Sequence, residues 1–209
     1  MNHEAVFFDF DGVILDSVDV KTKAFGKMFE AYGSDVQKEV VQYHSENCGV
    51  SRFEKFRYYY ENILNIKIGE SEIQELSKQF SELVVEGVID SPFIRGAFET
   101  LELLKERQIP SYVVSGTPHD EINFIVKKKG LSGYFEEVHG SPRKKWEISS
   151  EIVGSRGYNS ERCLFIGDAM TDYHAAKKTG MQFLGIAPKQ SSSPFPKGTR
   201  NSEIVCMWE

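Results

Sequence analysis

The sequence predicts an α/β fold: a doubly wound, mostly parallel sheet with a block of helices inserted after the first strand. Three observations carry that prediction. Short apolar runs of strand length recur, each ending in a turn-like or small-residue stretch. From Ala97 onward, segments of helical spacing separate those runs. Between the first run and the rest, Val18 to Asp90 breaks the rhythm, with helical spacing and no buried strand. Strands alternating with helices build a parallel sheet covered on both faces.

The first run, Val6-Phe7-Phe8-Asp9-Phe10, turns acidic and meets Gly12, so it reads as a buried strand that stops where the chain becomes polar. Ser111–Val114, Cys163–Ile166 and Phe183–Ile186 read the same way, and Glu136–His139 is a further candidate. Their trailing stretches are Ser115-Gly116-Thr117-Pro118, Gly167-Asp168-Ala169 and Ala187-Pro188. Ala97 to Arg107 carries Phe98, Leu101 and Leu104 at helical spacing, and His119 to Lys129 places Ile122, Ile125 and Val126 on one face. Trp146 to Gly154 and Thr171 to Lys178 are also helical, and Gly130 and Gly180 stand where C-terminal caps belong. The inserted block carries three amphipathic stripes: Phe25, Met28, Phe29 and Tyr32; Phe53, Phe56, Tyr60 and Ile63-Leu64; Ile73, Leu76, Phe80, Leu83 and Val84. Pro92 and Gly96 mark the return, so the expected division is a core of residues 1–16 and 91–209 and a helical domain of residues 17–90. Ser191 to Pro196 reads as a short loop, and no internal repeat is present.

Composition narrows the function. The 209 residues suffice for one good core and a small accessory module. A net charge of -6 argues against non-specific binding to nucleic acid or anionic membrane. No apolar run approaches ~18 residues, so no membrane span is expected, and the start of the chain lacks the pattern of a signal peptide. Cys48, Cys163 and Cys206 are far apart and odd in number, which points to a reduced, cytoplasmic protein without disulfides or a zinc site.

The chemistry-bearing residues gather at expected strand ends, where open parallel sheets bind ligands. Asp9 and Asp11 close the first strand, and Asp168 and Asp172 follow the strand Cys163–Ile166. Four carboxylates on one rim repel and require a cation; a hard divalent ion with oxygen ligands answers this, with Mg2+ the usual choice beside phosphate. Ser115-Gly116-Thr117 offers a hydroxyl and freed backbone N–H groups that can hold phosphoryl oxygens. Lys144-Lys145 could offset the carboxylates and the phosphate. Each has a plainer reading when taken alone: a strand-end turn for Asp9 and Asp11, a helix cap for Asp168 and Asp172, a solvated pair for the lysines.

In this order, D-x-D-G, a strand ending in Ser, Lys, then G-D-x-x-x-D, the chain resembles the haloacid dehalogenase-like superfamily over everything outside the inserted helices. The resemblance implies roles residue by residue. Asp9 would be the nucleophile that forms an aspartyl-phosphate, and Asp11 the general acid that then activates water. Ser115 would bind the phosphoryl group, with Gly116 and Thr117 beside it. Lys145 would be the motif lysine, with Lys144 as a possible substitute. Asp168 would bind the metal together with Asp9 and the backbone carbonyl of Asp11, and Asp172 would support the metal or the lysine. For Asp11 to act as an acid, its pKa should lie above the usual aspartate value.

The resemblance also implies that the helical block is a cap that sets specificity. Dehalogenases and phosphonatases of the superfamily typically lack an acid where Asp11 stands, which disfavours both. Gly49-Val50-Ser51-Arg52 resembles a loop of beta-phosphoglucomutase-like proteins in which the arginine binds a distal phosphate, but Lys21 stands where the mutases carry a histidine. Lys21 and Arg52 would form a cationic face suited to a sugar phosphate or an acidic sugar phosphate, although solvated surface is an equally good reading of both. The expectation is therefore a Mg2+-dependent phosphatase for a small phosphorylated metabolite. A sugar phosphomutase and a catalytically silent binding module are the alternatives.

Overall fold

The computed structural model describes residues 3–187, 193–203 and 205. Its sheet is parallel throughout, with strand order β3-β2-β1-β4-β5-β6: β1 (Ala5–Phe8), β2 (Ser111–Pro118), β3 (Glu137–Ser141), β4 (Cys163–Gly167), β5 (Gln182–Ile186) and β6 (Asn201–Ser202). β1 is central and pairs with β2 and β4, with Phe8 opposite both Val113 and Ile166. The carboxyl ends of β1 and β4 therefore lie side by side and are followed by Asp9 and Asp168, while Ser115 stands in the carboxyl half of β2, where its regular pairing with β3 breaks after Val114.

Alternation along β1 separates two cores, because successive strand side chains point to opposite faces. Val6 and Phe8 pack with Leu101 and Leu104 of α5 (Ala97–Glu106) and with Ile122 and Ile125 of α6 (His119–Lys128). Ala5 and Phe7 pack with Ile148 and Ile152 of α7 (Lys145–Arg156) and with Ala175 and Ala176 of α8 (Met170–Thr179). Helices thus cover both faces, as expected.

The differences from expectation are local. β1 ends at Phe8 rather than Phe10, because the Phe10 carbonyl turns to accept from the N–H groups of Ile14 and Leu15. The β3 strand runs on to Ser141, and α7 begins at Lys145. β6 was not expected; at two residues it is too short to leave an alternation pattern. Of the loop placed at Ser191 to Pro196, Ser191 and Ser192 lie outside the described residues, as do Pro188 and Cys206.

Between β1 and α5 the chain forms α1 (Val18–Met28), α2 (Ser34–Glu46), α3 (Arg52–Tyr58) with a π-helical turn at Tyr59–Ile63, and α4 (Glu70–Asp90). Phe25, Phe29, Phe56, Tyr59 and Phe80 interlock in one buried aromatic cluster. Tyr32 and Leu83, placed in the stripes by spacing, lie at their margins and are 45% and 39% exposed. The chain enters and leaves this block side by side: Asp16 N–H donates to the Pro92 carbonyl at 2.9 Å and Ile94 N–H to the Ile14 carbonyl at 3.0 Å. Lys129, just past α6, donates to the carbonyls of Ile89 and Ser91 at the end of α4, where the helix dipole favours a cation.

Candidate active site

The turn after β1 sets the site. Gly12 has φ +77, and a Cβ there would lie 2.2 Å from Asp168 Oδ2, so only glycine lets this loop pass against the β4 loop. Asp9, almost fully buried, has both oxygens held. The Phe10 N–H donates to Oδ1 at 2.7 Å, and Lys145 Nζ lies 2.8 Å from Oδ2. Lys145 also donates to Asp172 Oδ1 at 2.7 Å. Asp172, in the first turn of α8, accepts from the Ala169 N–H through its other oxygen at 3.1 Å. It therefore caps the helix and anchors the lysine at once. Lys144, by contrast, is half-exposed and pairs with Glu54 of α3 at 2.6 Å. The lysine at the carboxylates is Lys145.

Asp9, Asp168 and Asp172 can each bring a carboxylate oxygen within 4.8 Å of the others. Lys145 is the one cation bonded to this group among the described residues, so ionised carboxylates would leave a net charge of two minus. Burial, then repulsion from Asp9 and Asp172, pushes the Asp168 carboxyl well above the usual range. Burial likewise pushes Asp172 up to about 7, against the pull of Lys145. Burial works against the Lys145 ammonium, but Asp172 and Asp9 outweigh it and hold its pKa above the ordinary lysine value. Oxygen donors with excess negative charge fit a hard divalent cation. The Asp11 carboxylate stands apart from this group.

Asp11 is instead the centre of a second cluster. Ser17 donates to its Oδ1 at 2.6 Å, Thr117 Oγ1 donates to Oδ2 at 3.1 Å, and Lys21 bonds both Oδ2 and, at 2.7 Å, Thr117 Oγ1. Burial opposes its ionisation, yet Lys21 and these hydrogen bonds hold its pKa below the ordinary aspartate value. The expectation of a raised Asp11 pKa is not met. The reason is the lysine at position 21, which sequence reasoning assigned to the substrate and the structure places on Asp11.

Ser115 is buried within β2, which runs on to Pro118 past the expected end at Val114, and its Oγ accepts from the Thr117 N–H at 3.1 Å. A Cβ on Gly116 would lie 2.8 Å from the Gly49 carbonyl, so this glycine lets the loop before α3 approach the sheet. Above the carboxylates a cavity of about 60 Å3 is lined by Asp9, Asp11, Asp168, Gly116 and Thr117 from the sheet side. Phe25, His44, Arg52, Lys55 and Phe80 line it from the helical block. Arg52 is 4% exposed and already engaged: Nη1 donates to Glu121 Oε2 at 2.8 Å, Nη2 donates to Glu121 Oε1, and the guanidinium lies 4.6 Å from the centre of the Phe80 ring. Glu121 belongs to α6, so this pair joins the inserted helices to the sheet domain.

The family model for haloacid dehalogenase-like hydrolases matches residues 6–186. The chain belongs to the haloacid dehalogenase-like hydrolases. A 6-phosphogluconate phosphatase of Escherichia coli is 23% identical over 99% of this chain and 95% of its own length. A phosphoglycolate phosphatase of Aquifex aeolicus is 26% identical over 96% of this chain and 94% of its own length. Among solved structures, a haloacid dehalogenase-family hydrolase of Entamoeba histolytica matches with a TM-score of 0.77 and 17% identity, covering 96% of this chain and 93% of that one. The hydrolase reading and the parallel Rossmann-like core expected from the motifs both stand.

Sequence reasoning gave no site role to His44 or Lys55, read Cys48 only as a reduced cysteine, and read Ser17 only as a turning point of the helical block. Ser17 touches Asp11, and the other three line the cavity. Lys55 follows Arg52 by one helical turn, which is a signal for a shared face; nothing in the sequence marks it as buried.

Proposed function

We propose that this hydrolase is a Mg2+-dependent phosphatase of small phosphorylated metabolites, working through an aspartyl-phosphate on Asp9. The observation that carries the reading is the fixed Asp9 carboxylate: anchored at both oxygens, beside Asp168, and opening onto a cavity between sheet and helical block. Names of relatives that act on small phosphate esters support it. Asp9, Asp168 and the backbone carbonyl of Asp11 would hold the metal. When bound, it screens the repulsion between Asp9 and the phosphate.

An Asp9 oxygen attacks phosphorus as the ester P–O bond breaks, and the leaving oxygen takes a proton from Asp11. Asp11 then accepts a proton from water, which attacks phosphorus. The bond to Asp9 breaks, and inorganic phosphate leaves. The ionised resting state of Asp11 suits this second half. For the first half, a phosphoryl group bound at Thr117 and Lys21 draws both donors off Asp11 and restores its affinity for a proton. Lys145 bridges Asp9 and Asp172 and offsets part of their charge, and Ser115 with Gly116 cradles the phosphoryl oxygens. The helical block of residues 17–90 acts as the cap that excludes water, turning at Ser17 and Ser91. The buried, free Cys163 suits a cytoplasmic setting.

The test is phosphate release from a panel of phosphorylated metabolites, with Mg2+ or with chelator, for the wild type and Asp9→Asn. Release that needs both the metal and Asp9, without sugar isomer formation, supports the phosphatase and separates it from a phosphomutase. Equal turnover by the variant sinks the nucleophile assignment.

A further inference from the structure

We infer that Lys55 and His44 form a subsite for a carboxylate carried at the far end of the substrate, an assignment that rests on the phosphatase reading above. Three cationic side chains line the cavity over Asp9. Lys21 is paired with Asp11 and Arg52 with Glu121. Among the described residues Lys55 has no carboxylate partner, although it is only 3% exposed. Its one polar side-chain partner is His44 Nδ1, at 2.7 Å.

That contact fixes the chemistry of the pair. An ammonium only donates, so Nδ1 must accept, and the imidazole proton sits on Nε2. His44 is 5% exposed, and Nε2 has no hydrogen-bond partner among the described residues. Burial and the Lys55 charge push the His44 pKa down to about 3, which keeps the ring neutral. Burial lowers Lys55 to about 8, so it remains mostly protonated at neutral pH. Among the described residues, the cavity wall therefore holds a buried ammonium that no carboxylate bonds, attracted only at longer range by Asp11 and Asp168, and an unpartnered ring N–H, an arrangement that is costly unless an acceptor arrives.

Charge selects the acceptor. One ammonium beside a neutral imidazole balances one negative charge, as on a carboxylate; a second dianionic phosphate would leave excess negative charge in a buried place. The loop arginine expected to meet a distal anion already has its charge paired, with Glu121 holding both of its terminal nitrogens. Lys55, one turn further along α3, presents its charge to the same cavity. The cavity, which Phe25 and Phe80 also line, measures about 60 Å3, which favours a short substrate.

The experiment uses matched phosphate esters that differ only in the far group: 2-phosphoglycolate against ethylene glycol monophosphate, and 3-phosphoglycerate against glycerol 3-phosphate. The ratio of kcat/KM within each pair is measured for the wild type and Lys55→Gln. Wild type should favour the carboxylates, and the variant should lower that ratio by about 10- to 100-fold, the worth of a charge-assisted hydrogen bond. Calorimetric titration of the same esters into Asp9→Asn, with and without Lys55→Gln, gives the preference without turnover. If no ester is hydrolysed, the phosphatase reading fails, and the titration still decides the subsite. A ratio unchanged by Lys55→Gln overturns the inference, as does a wild-type preference for propane-1,3-diol bisphosphate over the carboxylates. Lys55→Gln should melt no lower than the wild type, since it removes a buried charge whose desolvation outweighs its attractions. Lys55→Met, which keeps the apolar stem, repeats the measurement if the glutamine variant fails to fold.

Discussion

Replacing Lys145 by methionine removes the cation that bonds Asp9 and Asp172, in a place where the three side chains are 6%, 5% and 0% exposed. Breaking a buried ion pair by deleting one partner costs about 3–5 kcal/mol, because the remaining charge stays buried and unpaired. Here two carboxylates lose the same partner, so the upper part of that range applies when no divalent ion is present. The carboxylates can relieve the loss by taking up protons. Asp172 already stands near 7 with Lys145 in place, and Asp168 well above its usual value; without the ammonium both move higher. A carboxyl raised in the folded state contributes stability that is complete below its unfolded pKa and lost as pH rises through the folded one. The variant should therefore lose about 4 kcal/mol at roughly pH 8 in chelator and clearly less at roughly pH 5.5. Urea denaturation followed by fluorescence measures both, and Mg2+ should recover part of the loss at the higher pH. A loss under about 1 kcal/mol at the higher pH, as for an exposed pair, or a loss that grows on acidification, would refute the reasoning.

Two further outcomes follow from the same electrostatics. In the wild type held in chelator, stability should fall as pH rises through about 7, since Asp172 and Asp168 are both raised; the slope is up to about 1.4 kcal/mol per pH unit for each group, read from urea midpoints across that range. Glu121→Gln should leave Arg52 buried without its counter-charge and cost about 3–5 kcal/mol, with faster amide exchange in α3 and α4 than in β1; unchanged exchange in those helices would show that the pair does not fasten the inserted helices to α6.

Much of this was legible in the sequence, and the reasons differ by level. The β1, β2 and β4 strands are buried on both faces, so they read as apolar runs, and the parallel rule then places their carboxyl ends together. Asp9, Ser115, Asp168 and Lys145 gain their meaning from that placement. The pairing choices were not legible. Lys21 and Arg52 read equally as substrate ligands, but Asp11 and Glu121, from segments distant in the chain, take their charges. Lys144 and Lys145 are neighbours that only the start of α7 tells apart, turning one to Glu54 and the other inward. The spacing of Lys55 from Arg52 marks a shared face but not burial, because burial of a cation is decided by the packing of α2, α3 and α4 around it. The two-residue β6 is too short for any periodicity.

The central claim, that Asp9 carries the phosphoryl group, is tested most directly by acid quench of a single turnover with Mg2+, followed by peptide mass spectrometry. The account predicts a transient phosphate on Asp9, absent in Asp9→Asn together with phosphate release. Release that continues in the variant, or single turnovers that leave Asp9 unmodified at every quench time, would contradict it.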